Sequence, residues 1–391
     1  MTAPAPTLPP LRVALMLESD GPGGAEMMLL HLAEELRRRG HEVLPVGPDN
    51  KSGWLAERFR ERGFAPTTFS LRRAIDLRCL RGLTALLRAH DIQVVHSHEF
   101  GMAVYGAAAA RRIGARHVIT MHGGRYYAEQ WRRRAALRWA ARRSVALVGV
   151  STATANDLRD TLALRDGEVV VVPNGIPFRA GERAPLRRAL AVRDDDLLLV
   201  AVGNLYPVKG HAVLLRALAT LHREHADLRW RLAIAGRGEE ESALRAAAER
   251  EGIADRVHLL GYRGDVPDIL AAADAFVMPS LSEGLPLALV EAMSASLPIV
   301  ASDVGGIPEA VTRDVEALLA PPGDPVALAA ALARVLGDAS LRARLGAAAR
   351  RRALRDFSVA TMGDAYERLY RGGAAPAATR AAPRSAEQGT R

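Results

Sequence analysis

The feature that most constrains this 391-residue chain is an alternation, run twice, of short apolar strands with amphipathic helices. Leu11–Leu17 reads as a buried strand and Gly21-Pro22-Gly23-Gly24 as a turn. Ala25–Arg39 then carries apolar residues at Met28, Leu29, Leu32 and Leu36 with helical period, and stops at Gly40. His41–Val46, Ile92–Val95, His117–Thr120, Val145–Val150 and Val169–Val172 continue the strand series. Short apolar strands alternating with helices are βαβ units, which build a parallel sheet covered on both faces. The series breaks at Pro173-Asn174-Gly175-Ile176-Pro177, a linker pattern, and then restarts. The second set of strands is Leu197–Val202, Arg229–Ala235, Val257–Leu260, Ala275–Met278 and Pro298–Ala301. Its helices are His211–Glu224, Glu240–Glu251, Val266–Ala272, Leu287–Ser294 and Pro325–Leu336. The expected fold class is therefore α/β, with two doubly wound Rossmann-like domains, 1–178 and 179–357, facing each other across a cleft. Ser340–Arg371 reads as helical, and residues 372–391, without periodicity, as a disordered tail. Ligands of such sheets bind beyond the carboxyl ends of the strands, so the cleft is the expected site.

Composition narrows the class. An apolar fraction of 49% excludes a disordered or collagenous chain. The single cysteine, Cys79, has no internal partner, which favours a reducing compartment. No apolar run approaches the roughly 18 residues of a membrane span, and Met1–Pro10 lacks the basic start of a signal peptide. A soluble, cytoplasmic protein is expected. Of the net charge of +9, residues 1–178 carry +8 (25 basic against 17 acidic side chains). That imbalance fits nucleic acid, a membrane surface or a phosphate-bearing substrate, or simply an Arg-rich soluble chain. Only Lys51 and Lys209 among the 53 basic residues are lysines. A retained lysine marks a place where a compact ammonium serves better than a planar fork, unless the two are chance.

Three segments carry candidate chemistry. The turn ending at Gly24 joins a strand to a helix, so its N–H groups suit an anion. It lacks the G-x-G-x-x-G spacing, because the sixth position is Glu26, and a dinucleotide site is disfavoured. Lys209 follows the strand that opens the second domain and stands near the next helix start, where a cation needs an anion beside it. The third segment, Ser280–Glu291, follows the strand Ala275–Met278. Pro286 fits the first turn of its helix, and the N–H groups near Gly284 and Leu285 would then face the cleft. Glu283 and Glu291 suit the hydroxyl pairs of vicinal diols. The plainer alternative makes Glu291 a helix-surface residue and Glu283 a partner of the helix dipole.

Together these residues resemble the family 4 retaining glycosyltransferases of the GT-B fold. The resemblance rests on the E-x₇-E spacing of Glu283 and Glu291, on Gly284-Leu285-Pro286, and on Gly305-Gly306-Ile307-Pro308-Glu309. It extends over nearly the whole chain through Gly23-Gly24-Ala25-Glu26, Val95–Glu99, Thr120–Gly123, Val172–Ile176, Lys209-Gly210 and Ala235–Gly238. It implies a nucleotide diphosphate sugar as donor substrate and no cofactor or metal. Glu291 would hold the ribose hydroxyls, Glu283 with the backbone of Gly284 and Leu285 the transferred sugar, and Lys209 the leaving diphosphate. His122 would contact the donor sugar or support the reaction centre. It further implies that the helix 358–371 packs back on the first domain. The chain departs from the family pattern at Ser296, usually Gly, and Pro177, usually Asp. It also has Asn204 where an arginine is common, and Arg263 is the candidate for the missing charge.

His96 and His98 recur at a strand end and are expected to face the cleft with His122. Their spacing does not match a metal-binding helix. Asp194-Asp195-Asp196 precedes a strand on the side away from ligands and reads as a solvated turn. Tyr127–Arg143 reads as a basic helix, with Arg134, Arg138 and Arg142 on one stripe and Trp131 and Trp139 on another. That pattern fits peripheral docking on an anionic membrane carrying a lipid-linked acceptor, or a helix with core tryptophans and solvated arginines. No motif supports nucleic acid. The function expected is transfer of a hexose from a nucleotide sugar to a glycan or lipid-linked hydroxyl with retention. A nucleotide-sugar epimerase or phosphorylase, and a non-catalytic nucleotide-sugar-binding protein, are the rival readings.

Overall fold

The computed structural model describes residues 9–49, 53–73, 75–123 and 127–373. Two parallel sheets dominate it. The first contains β1 (Arg12–Leu17), β2 (Glu42–Pro48), β3 (Thr67–Phe69), β4 (Val94–His98), β5 (Arg116–Met121), β6 (Ala146–Gly149) and β7 (Val169–Val171), in the order β3-β2-β1-β4-β5-β6-β7. The second contains β8 (Leu197–Val202), β9 (Trp230–Ala235), β10 (Val257–Gly261), β11 (Ala275–Met278), β12 (Ile299–Ser302) and β13 (Ala317–Ala320), in the order β10-β9-β8-β11-β12-β13. In each sheet the order reverses beside the first strand, which opens a crevice at the strand ends. The central strands are buried on both faces: every residue of β4, β6 and β11 is buried, as expected for sheets sandwiched between helices.

Two strands escape the sequence pattern. Thr67–Phe69 is a three-residue edge strand paired only with β2, too short to show a period. Ala317–Ala320 consists of alanine and leucine, residues of high helix propensity, yet it pairs with β12 from Ile299↔Ala317 to Ser302↔Ala320. Tertiary pairing overrides local preference there.

The helical stretch expected over Ser340–Arg371 is two helices, Ala339–Asp356 and Val359–Tyr370. The break follows from Ser358, whose side chain accepts from the Thr361 N–H and starts a new helix. At that break the chain passes beside the linker. Ile176 N–H donates to the Phe357 carbonyl, and Val359 N–H to the Ile176 carbonyl, both at 3.0 Å. A Cβ on Gly175 would lie 2.4 Å from the Ser358 carbonyl oxygen, so only glycine fits this crossing.

The helix Val359–Tyr370 packs on the first sheet's layer, against the helix Gly24–Arg38 and β5. The Arg39 guanidinium reaches Glu35 at 2.7 Å and Asp364 at 2.6 Å. The hydroxyls of Tyr366 and Tyr370, both wholly buried, reach Thr120 Oγ1 at 3.0 Å and His96 Nδ1 at 2.7 Å. Residues 374–391, most of the expected tail, lie outside the described residues, as do Met1–Leu8 and Lys51.

Candidate active site

The carboxyl ends of the two sheets enclose a cavity of about 860 Å³. Lys209, Glu283 and Glu291 all line it, with Gly24, Asn204, Gly284, Leu285, His122 and Arg263. The sequence-predicted residues are thus brought into one pocket.

Lys209 ends a single 3₁₀ turn, Pro207–Lys209, after β8. Gly210 follows with φ 66°, and a Cβ there would lie 2.0 Å from the Pro279 carbonyl oxygen. The chain therefore turns against the β11 loop before the helix His211–Glu224 begins. That turn carries the Lys209 Nζ to 2.7 Å from Glu283 Oε1. Ser280 Oγ donates to the same oxygen at 2.7 Å.

The loop after Glu283 is clamped on three sides. Gly306 N–H donates to the Gly284 carbonyl at 2.8 Å, and Asn174 Nδ2 donates to the Leu285 carbonyl at 2.8 Å. A Cβ on Gly284 would lie 2.3 Å from the His122 carbonyl oxygen. Pro286 is the residue before the helix Leu287–Ser294, one position earlier than expected. Glu291 lies in that helix and faces the cavity. Burial pushes its carboxyl up to about 7, with Arg179 across the cavity pulling the other way.

His122 belongs to the loop after β5. Its N–H donates to Glu99 Oε1 at 3.1 Å, and its Nε2 lies 3.0 Å from His98 Nδ1. Burial lowers its pKa to about 4, so the ring is neutral at physiological pH.

His96 and His98 do not stand on the cavity rim. Both are 0% exposed. His96 is sealed beneath the returning helix, held between Tyr370 and Thr120 Oγ1 at 2.7 and 2.8 Å. His98 stands behind His122. Among the described residues no group of three or more His, Cys, Asp and Glu side chains is arranged to hold a metal.

Arg263 lines the cavity, but its guanidinium pairs with both oxygens of Asp265, so its charge is shared. Asn204 lies across the cleft from the turn before Gly24, its Nδ2 3.5 Å from the Pro22 carbonyl oxygen. Of the three aspartates before β8, Asp195 pairs with Arg229 and Asp196 with Arg231, at the strand ends remote from the cavity.

Sequence reasoning missed several residues. Arg58, Arg62, Arg179 and Arg350 also line the cavity, unmarked in a chain that writes arginine nearly everywhere. Glu99 sits at φ 64°, a strained conformation for a non-glycine residue, and burial beside Glu18 and Glu26 pushes its carboxyl up to about 7.

The basic helix spans Trp131–Ala141. Trp131 is 67% exposed, whereas Trp139 is half-buried beneath Arg143, whose guanidinium carbon lies 4.8 Å from the ring centre. Arg134 is tied to the Ala128 carbonyl at 2.7 Å. No described helix is long and apolar enough to cross a membrane.

Known proteins place this geometry. Residues 182–352 match the family described as glycosyl transferases group 1, and residues 22–179 match glycosyltransferase family 4. The amylovoran biosynthesis glycosyltransferase AmsK of Erwinia amylovora is 41% identical over 110 residues, 26% of this chain and 27% of that protein. The UDP-Gal:alpha-D-GlcNAc-diphosphoundecaprenol alpha-1,3-galactosyltransferase of Escherichia coli is 27% identical over 75% of this chain and 79% of its own. The crystal structure of Anabaena Alr3699/HepE in complex with UDP superposes with a TM-score of 0.80, at 22% identity, over 91% of this chain and 98% of that one. The chain therefore belongs to the family 4, group 1 glycosyltransferases, enzymes of glycosyl transfer, and its two sheets face each other in the GT-B arrangement.

Proposed function

We propose that this enzyme transfers a hexose from a UDP-sugar to a hydroxyl of a glycan or lipid-linked acceptor, with retention of anomeric configuration. The observation that carries the reading is the meeting of Lys209, Glu283 and Glu291 in one cavity. The ammonium of Lys209 takes the diphosphate oxygens, where negative charge develops as the bond from C1 to the phosphate oxygen breaks. Glu291 accepts from the ribose hydroxyls. Glu283 and the backbone of Gly284 and Leu285 hold the hydroxyls of the transferred sugar. Gly24 and Asn204 border the diphosphate from the turn after β1 and the loop after β8. Arg263 borders the nucleotide, its charge tempered by Asp265.

His122 acts through position. Its ring is neutral and braced by His98, so its backbone carbonyl is held against Gly284. The acceptor oxygen attacks C1 on the face the phosphate leaves, and its proton passes to the departing phosphate oxygen. The closed cleft orients both substrates and excludes water. UDP as the nucleotide is supported by the UDP-Gal donor of the Escherichia coli galactosyltransferase and by the UDP held in the Anabaena HepE structure. A lipid-linked acceptor is supported by the former.

Peripheral contact with an anionic membrane belongs to the same reading. The exposed Trp131, with Arg132, Arg142 and Arg143, supports it. A thermal-shift screen tests the donor: UDP and UDP-sugars should raise the melting temperature. A response to GDP and GDP-sugars instead would overturn the base assignment.

A further inference from the structure

Glu309 closes the motif Gly305-Gly306-Ile307-Pro308-Glu309, yet it does not line the cavity. Its carboxylate leaves the second domain and reaches the first. Oε2 accepts from Thr152 N–H and Oε1 from Ala153 N–H, each at 2.6 Å. Thr152 and Ala153 are the first two residues of the helix Thr152–Leu162. The opening N–H groups of a helix have no partner within it and carry its positive partial charge. Ser151 Oγ satisfies Thr154 N–H at 3.1 Å, so two domains cap one helix.

Beside this cap the domains touch through glycines. A Cβ on Gly306 would lie 2.8 Å from the Ser151 Cβ. Gly306 N–H holds the Gly284 carbonyl, and Gly284 lies against His122 and Gly123. The path from Glu309 to the donor-sugar loop is therefore short: Ser151 to Gly306, Gly306 to Gly284, Gly284 to His122. Arg352 steadies the near end, its Nη2 donating to the Glu309 carbonyl at 2.6 Å.

We infer that Glu309 is a positioning residue for glycosyl transfer: by capping a helix of the opposite domain it latches the cleft closed and sets the His122 loop against Glu283-Gly284. Opening the cleft sends the carboxylate and both N–H groups back to water, so the charge-assisted bonds favour closure.

The latch is testable from both sides. Glu309→Gln removes the charge. Thr152→Pro removes one donor at a helix position where proline is tolerated. Ser151, at φ −149° and ψ 164°, already has the extended conformation a following proline demands. Solution scattering of the full chain without ligand should give a larger radius of gyration for each variant at unchanged melting temperature. With UDP-glucose as probe, kcat for UDP release should fall about tenfold in each variant, the scale of one charge-assisted hydrogen bond. KM should stay within about twofold, because the binding groups are intact. The double variant should be no worse than the poorer single, since both cut one contact. Wild-type dimensions in both single variants, additive losses in the double variant, or a lowered melting temperature with wild-type dimensions would overturn the latch. Should wild type not turn over UDP-glucose, scattering alone decides, so a wrong donor and a wrong latch give different results.

Discussion

Lys209 Nζ lies 2.7 Å from Glu283 Oε1, an ion pair in which the carboxylate side chain is only 6% exposed. One of the two lysines in the chain thus sits on the residue that opens the donor-sugar loop. An ammonium has three donors, and with one spent on Glu283 the others remain for phosphate oxygens.

Lys209→Ala removes leaving-group neutralisation and leaves the Glu283 carboxylate, among the described residues, with Ser280 as its side-chain partner. Transfer should fall by about 10²- to 10³-fold, as when a preorganised donor to a developing anion is lost. Stability should fall by about 1–3 kcal/mol, the cost of a buried group left underpaired. Turnover assays and urea unfolding of the variant check both, and wild-type turnover would exclude the diphosphate role.

Glu291 gives a pH signature. Burial holds its proton up to about pH 7, so the ionised form that accepts both ribose hydroxyls fills only above that. UDP-glucose affinity should rise as pH passes from 6 to 8. In Glu291→Gln the affinity should be about tenfold weaker, the worth of hydrogen bonds to a charged group, and flat with pH. Calorimetric titrations at pH 6, 7 and 8 show whether the slope disappears.

The fold was legible because buried parallel strands are largely apolar; of the thirteen strands among the described residues two went unread, Thr67–Phe69 for its shortness and Ala317–Ala320 for its helix-forming residues. The site was legible because Lys209 stands out where arginine is the rule, and because Glu283, Gly284-Leu285-Pro286 and Glu291 follow a strand at E-x₇-E spacing. Contacts made by remote chain segments were not. Strand period puts His96 at a strand end but cannot say that Tyr370, 274 residues later, covers it. The same holds for the Glu309 carboxylate, whose partners lie in the other domain.

Buried neutral histidines set the acid limit of stability. His31 and His117 are lowered to about 3, His122 and His211 to about 4, and His96 and His98 well below their ordinary value, all chiefly by desolvation. Unfolding returns each to an ordinary value near 6.5, so below that pH the unfolded chain binds more protons. Stability therefore falls as pH drops from 6.5 towards 4. Glu99 and Glu291, raised to about 7, and Glu18 and Glu26, also raised by burial, act in the opposite sense above about pH 4.5, but they are four groups against eight histidines, His41 and His258 being lowered as well. Urea unfolding should show lower stability at pH 5.0 than at pH 7.5; equal stability would mean the histidines are not buried as described.

Membrane docking should depend on the exposed end of the basic helix. Trp131→Ala combined with Arg132, Arg142 and Arg143→Glu should abolish co-sedimentation with vesicles rich in phosphatidylglycerol, at unchanged melting temperature. Failure of wild type to sediment with such vesicles would remove membrane contact from the account.

The most direct measurement is calorimetric titration of UDP into wild type, Lys209→Ala and Glu291→Gln. A saturable heat in wild type, weakened at least about tenfold in each variant, is the predicted result. Equal affinity in all three proteins, or binding of neither UDP nor GDP to wild type, would contradict the claim that these side chains form a nucleotide-sugar site.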